Sequence, residues 1–66
     1  MTHEQWIQAA IAYWHMYPEQ RKGQAFFNSL ALNRPDLSEQ IRGTNLDPFY
    51  READLQGFML WVDQNW

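Results

Sequence analysis

Apolar side chains recur at helical spacing through most of the chain. The clearest stripe lies near the end of the sequence, at positions i, i+3, i+4, i+7 and i+11, and comprises Leu55, Phe58, Met59, Val62 and Trp66. It predicts a helix with one buried face. Trp61 lies about one residue step off this stripe, so it either widens the buried face or is exposed.

A first helix is predicted to begin near His3, because Thr2 and Gln5 have the spacing of a capping box. Its core face is predicted to be broad and to carry Trp6, Ile7, Ala10, Ile11, Tyr13, Trp14 and Tyr17. Pro18 ends this helix and also suits the first position of a second one.

The second helix is predicted to direct Ala25, Phe26, Phe27, Leu30 and Ala31 inward. Its end is bracketed by Asn33 and Pro35, and Pro35 then opens a short third helix. Strict apolar–polar alternation, which would indicate a strand, is not found in the sequence. We therefore predict an all-α fold, a compact bundle of three longer helices plus one short helix, as a single domain over residues 1–66.

The segment from Ile41 to Tyr50 is predicted to be non-helical, and it groups turn, capping and aromatic residues within ten positions. Gly43 suits the left-handed residue that follows a helix, and Asp47 suits the cap of a new helical turn beginning at Pro48. The Asp-Pro-Phe-Tyr run is thus predicted to form a structured corner. Phe49 and Tyr50 are adjacent and would point about 100° apart on that turn, so one can fill the core while the other faces outward.

Composition narrows the function classes. The formal net charge of −3 has the wrong sign for a general phosphate binder, and 17% aromatic residues can supply a small core without any cysteine. No apolar run approaches the roughly 18 residues that a membrane span needs. We expect a protein that does not associate with membranes and that acts in the cytoplasm.

Enzyme, cofactor and metal chemistry are not predicted. His3 and His15 are separated by about 18 Å of helical rise, which is too far to share a metal ion or a proton. No nucleophile motif, phosphate-binding loop or dinucleotide fingerprint occurs. We therefore expect a protein that is not an enzyme and that holds no cofactor or metal.

A protein-binding surface is the leading hypothesis, because aromatic residues and arginine are enriched at interface centres. Arginine at the end of the third helix and aspartate before proline also have structural roles as helix-end residues, so the alternatives stay open for Arg42 and Asp47. The predicted partner-binding residues are Arg21, Gln24, Arg34, Arg42 and Tyr50.

Two alternative functions remain. The second and third helices have roughly the dimensions of a helix-turn-helix, which would bind nucleic acid. However, residues 19–43 contain four bases against three acids, and Asp36 and Glu39 would lie close to phosphates. A homo-oligomeric structural protein is the other alternative, with surplus aromatic residues such as Trp61 forming the contact.

Several short runs resemble a group of small uncharacterised proteins of bacteriophages and prophages. They are the run from Arg21 to Leu30, the Arg-Pro-Asp-Leu run from Arg34, Gly43-Thr44, the Asp-Pro-Phe-Tyr run from Asp47, and the closing Trp61-Val62 with Asn65-Trp66. Lys22 and Arg51 depart from the pattern of the group. The resemblance implies an accessory or regulatory protein that binds a host or phage protein in the cytoplasm of the host cell. It implies no activity, cofactor or ligand.

Overall fold

The computed structural model describes residues 1–49 and 54–66, and these ranges contain four helices and no strand. The helices are α1 (His3–Met16), α2 (Lys22–Asn33), α3 (Pro35–Ile41) and α4 (Leu55–Asn65). The radius of gyration of 10.5 Å is close to the roughly 11 Å of a compact folded chain of this length. The predicted all-α bundle of three longer helices and one short helix is confirmed.

Local side-chain chemistry determines where two of these helices begin. The Thr2 hydroxyl accepts a hydrogen bond from the Gln5 backbone N–H at 3.1 Å, and the Gln5 amide oxygen accepts one from the Thr2 N–H at 2.8 Å. The predicted capping box is therefore present. Pro35 occupies the first turn of α3, where its missing N–H has no helical partner to lose.

The beginning of α2 differs from the prediction. Pro18 lies in an exposed turn, and the helix begins at Lys22. The Gln24 side-chain oxygen accepts a hydrogen bond from the Arg21 N–H at 3.0 Å and so pairs a backbone donor that precedes the first turn. Pro18 therefore ends the chain's first helical segment without opening the second.

The core is centred on the indole of Trp6, which is fully buried. Its ring centroid lies 6.1 Å from Phe26 of α2, 6.2 Å from Phe58 of α4 and 5.8 Å from Trp66. These edge-on and stacked ring pairs join three helices. Trp61 is half-buried against the same cluster, so it widens the buried face of α4.

The core face of α1 is narrower than its apolar pattern predicts. Trp6 and Ala10 are buried and Trp14 packs beside them, at i, i+4 and i+8 along one line of the helix. Ile11 and Tyr17 are 38% and 39% exposed. Ile11 lies about 140° around the helix from Trp6, and Tyr17 follows the last helical residue, Met16.

Hydropathy and helix length also bear on the membrane prediction. Among the described residues, no helix combines the length and the apolar character required to cross a bilayer.

Replacing Phe58 with Ala tests whether the ring cluster carries the stability. We expect Phe58→Ala to lower the free energy of unfolding by about 3–5 kcal/mol, because it removes a fully buried ring that contacts Trp6 and Phe27. Urea unfolding followed by tryptophan fluorescence measures the change. Leu60→Ala is the matched control on α4, where Leu60 is 58% exposed, and should change stability by less than about 0.5 kcal/mol. Equal losses in the two variants would contradict this account of the core.

Candidate functional site

Between α3 and Phe49 the backbone forms a corner, which we define as residues 42–49. Gly43 has a φ of +76°, a conformation that glycine adopts without steric cost. The Thr44 N–H and hydroxyl both donate to the Ile41 carbonyl oxygen, at 3.0 Å and 2.6 Å, and the Asp47 N–H donates to the Thr44 carbonyl oxygen at 3.1 Å. The corner is therefore braced by its own hydrogen bonds.

The carboxylate of Asp47 closes the corner from inside. Asp47 is only 7% exposed, and its two oxygens accept hydrogen bonds from different parts of the backbone. Oδ2 accepts from the Gly43 N–H at 2.8 Å, and Oδ1 accepts from the Phe49 N–H at 2.9 Å. The second contact is the one expected of a cap before Pro48. The helical turn predicted to follow Pro48 extends into residues outside the described ranges.

A pocket of about 250 Å³ opens at this corner and is lined by Phe27, Arg42, Gly43, Asp47 and Phe49. Phe27 is 2% exposed, and its ring meets the ring of Phe49 nearly edge-on, at 6.3 Å and 80°. The pocket therefore has aromatic walls that are continuous with the core, because Phe27 also lies 6.3 Å from Phe58.

Arg42 forms the charged edge of the pocket. Its guanidinium carbon lies 5.2 Å from the centroid of the Phe27 ring, which is within the range of a cation–π contact. Its Nε donates to Glu39 Oε1 at 3.0 Å, and the two side chains are 54% and 69% exposed. Such an exposed ion pair contributes little to stability. Among the described residues, the terminal nitrogens of Arg42 have no hydrogen-bond partner.

Arg21 and Gln24 are placed beside the corner and make contacts within the chain. Arg21 Nη2 donates to the Phe49 carbonyl oxygen at 2.6 Å, which ties the end of the corner to the start of α2. Gln24 accepts from the Arg21 N–H, as described above. Both side chains thus support the position of Phe49, either directly or through the conformation of Arg21.

Arg34 lies away from the other predicted residues. It precedes α3 whereas Arg42 follows it, so the helix separates them by about 12 Å along its axis. Arg34 donates to both carboxylate oxygens of Asp36, at 3.0 Å and 2.9 Å, and to the Trp66 carbonyl oxygen at 3.2 Å. Its guanidinium carbon also lies 4.9 Å from the centroid of the Trp66 ring.

The Arg34–Asp36 pair affects the titration of both groups. Its hydrogen bonds lower the pKa of Asp36 and raise the pKa of Arg34. Asp36 therefore remains ionised below the usual pH range of an aspartate, and the pair opens only as the pH falls through its lowered pKa.

The remaining predicted residue, Tyr50, lies outside the described ranges. His3 is half-buried between Trp6 and Trp66, with its Nδ1 3.5 Å from Asp63 Oδ1, whereas His15 is exposed. In the described part of the chain, no three histidine or acidic side chains are grouped as metal ligands would be.

Of the five pocket residues, only Arg42 is among the predicted partner-binding residues, and Phe27, Gly43, Asp47 and Phe49 are not. Phe27 was assigned to the core together with its neighbour Phe26, and both are buried. Adjacent helical residues point about 100° apart, so the two rings must meet different neighbours. That spacing is a sequence signal that Phe27 faces a second element, but it does not identify the corner as that element.

Comparison with known proteins gives no independent indication of function. The chain matches no protein-family model, no curated protein sequence and no solved structure.

The structural role of Asp47 can be tested directly. We expect Asp47→Ala to lower the free energy of unfolding by about 1–3 kcal/mol, because it leaves two backbone N–H groups without their acceptor. Chemical denaturation measures the loss, and Asn45→Ala, at an exposed corner position, should be within about 0.5 kcal/mol of the parent. If Asp47→Ala is as stable as Asn45→Ala, the carboxylate does not hold the corner.

Proposed function

We propose that this chain is a non-enzymatic binding module that contacts another protein through the corner and its pocket. The observation that carries the proposal is the exposed Arg42 guanidinium, held over the buried Phe27 ring beside an aromatic-walled pocket. Arginine and aromatic side chains at the edge of a pocket are the residue types that dominate binding energy in protein interfaces.

The different contacts of Arg21, Arg34 and Arg42 support this assignment. Arg21 and Arg34 hydrogen-bond to backbone carbonyls of distant parts of the chain, so their side chains have structural work within the domain. Among the described residues, the Arg42 side chain makes one ion pair, with Glu39, and one cation–π contact, with Phe27, and it is 54% exposed. Of the three arginines in the described ranges, it is therefore the one that can engage a partner at the least cost to the fold.

Binding is also favoured over catalysis by the state of the pocket's carboxylate. Both Asp47 oxygens already accept backbone hydrogen bonds, and the residue is buried. A general base must reach a substrate proton, and this carboxylate is 7% exposed with each oxygen already accepting a backbone hydrogen bond.

A protein partner is favoured over nucleic acid by the exposed face of α3. Asp36 and Glu39 are exposed on this helix, and each pairs with an arginine at one end of it. A recognition helix brings its exposed face close to phosphates, so these carboxylates would be repelled. In addition, α3 has only seven residues and is joined to α2 by Arg34 alone.

Self-association through Trp61 is not favoured, because this side chain is half-buried against the core of its own chain. The resemblance to phage and prophage proteins supplies the proposed setting. In that setting the chain is an accessory or regulatory protein in the cytoplasm of a bacterial host, where it binds a host or phage protein.

Affinity capture from a lysate of the bacterial host, followed by mass spectrometry, tests this proposal. We expect Arg42→Ala to reduce recovery of the captured partner at least about tenfold, because it removes the cation at the centre of the surface. Its melting temperature and helical circular dichroism should match those of the parent. Gln40→Ala, an exposed change on the same helix, is the control and should capture normally. Equal recovery with Arg42→Ala and the parent would overturn the proposal.

Gel retardation tests the nucleic-acid alternative. At about 50 mM salt, where phosphate contacts are strong, we expect no retardation of duplex DNA or of single-stranded RNA. Retardation that weakens linearly in log–log with salt, and that is reduced by Arg42→Ala, would favour nucleic acid over a protein partner.

A further inference from the structure

We infer that the corner pocket binds an acidic peptide segment in which a carboxylate lies beside one apolar side chain. The carboxylate would pair with Arg42, and the apolar side chain would enter the pocket that Phe27 and Phe49 line. This inference rests on the proposed function, and it names the chemistry of the partner.

The size of the pocket points to a single side chain. Sites for cofactors and other small molecules commonly enclose about 300–1,000 Å³, and this pocket encloses about 250 Å³. An anchor residue projecting from a peptide fits a cavity of this size better than a whole ligand does. Anchors of this kind, inserted into a pocket, carry most of the affinity in many interfaces.

The walls of the pocket indicate that the anchor is apolar. Phe27 and Phe49 both line the pocket, and their rings meet edge-on at 80°. Asp47 is also part of the lining, but both its oxygens are engaged by the Gly43 and Phe49 amides. Since the polar group is already paired, the remaining surface favours an aliphatic or aromatic guest.

The orientation of Arg42 indicates a carboxylate next to that anchor. Glu39 accepts a hydrogen bond from Nε, and the Phe27 ring lies against the guanidinium face. Within residues 1–49 and 54–66, the edge formed by the two terminal nitrogens has no hydrogen-bond partner, and this edge can donate two parallel hydrogen bonds to one carboxylate. Stacking on the ring and pairing through Nε limit the rotamers of Arg42 and reduce the entropy cost of binding.

Local charge favours an isolated carboxylate over a chain of phosphates. Two cations lie beside the aromatic walls of the pocket, because Arg21 donates to the Phe49 carbonyl and Arg42 lies over the Phe27 ring. Glu39 lies beside Arg42 and would repel a polyanion. One carboxylate can approach the far edge of the guanidinium, whereas successive phosphates would also pass Glu39 and Asp36.

Selection from random linear peptides displayed on filamentous phage tests the inference. The library is selected on the immobilised protein in the presence of excess soluble Arg42→Ala variant. We expect enriched peptides to contain Asp or Glu adjacent to, or one residue away from, Leu, Phe or Trp. Enrichment of peptides without an acidic residue would overturn the inference, as would a selection that yields no peptide dependent on Arg42.

A synthetic copy of the most enriched peptide gives a second readout. Replacing its acidic residue with the corresponding amide should weaken binding about tenfold or more. Glu39→Gln in the protein should strengthen binding about two- to fivefold, because it removes a competing carboxylate from Arg42. Weaker binding by Glu39→Gln, or equal binding of the acid and amide peptides, would overturn the inference.

The peptide and lysate experiments together distinguish an error in the inferred ligand class from an error in the proposed function. If lysate capture depends on Arg42 but no acidic peptide is enriched, the proposed function stands and the inferred ligand class is wrong. If acidic peptides are enriched but capture does not depend on Arg42, the pocket binds as inferred, and it is the proposed function that fails.

Discussion

The burial of Phe27 is the packing constraint on which both the core and the candidate site depend. Its ring is nearly equidistant from Phe58 in the core and Phe49 in the corner, at 6.3 Å from each centroid. The guanidinium of Arg42 lies over the same ring at 5.2 Å. One buried side chain thus connects the packing of α2 and α4 with the surface that we propose as the binding site. Interiors packed this closely transmit displacements, so the pocket and the core are mechanically linked.

This connection explains how a 66-residue chain without cysteine can present a shaped surface. A domain of this size buries only about 60% of the surface that its unfolded chain exposes. Few buried residues are therefore available to form a site that is separate from the core. Here the pocket uses a core ring as its wall. Asp47 satisfies the backbone of the corner from inside, which leaves Arg42 on the outer edge. The division between supporting and exposed groups is the physical basis of the proposal.

Features that depend on residues close together in sequence could be predicted. The capping box at Thr2, the proline at the start of α3 and the left-handed Gly43 each follow from local geometry, and each is found as predicted. The buried stripe of α4 also follows from its spacing, with Phe58 and Val62 fully buried. Local rules failed at Pro18, where a proline compatible with a helix start is followed by a turn and Arg21 precedes the helix.

The candidate site depends on contacts between residues that are distant in sequence. The segment that carries the site could therefore be predicted, but the residues that line the pocket could not. Arg21 meets the Phe49 carbonyl across 28 positions of sequence, and Phe27 meets Phe49 across 22. No spacing rule relates such pairs. Ile11 is a similar case, because its exposure depends on which line of α1 the other helices contact.

Backbone order at the corner shows whether the packed and hydrogen-bonded corner holds Arg42 in place. Nitrogen-15 relaxation of the protein measures this order on the ps–ns timescale. We expect order parameters of about 0.85 for the amides of Gly43 and Phe49, equal to those of the amides in α2. Values below about 0.6 at these two amides would contradict this expectation, since a corner that moves so freely could not maintain a pocket beside Phe27.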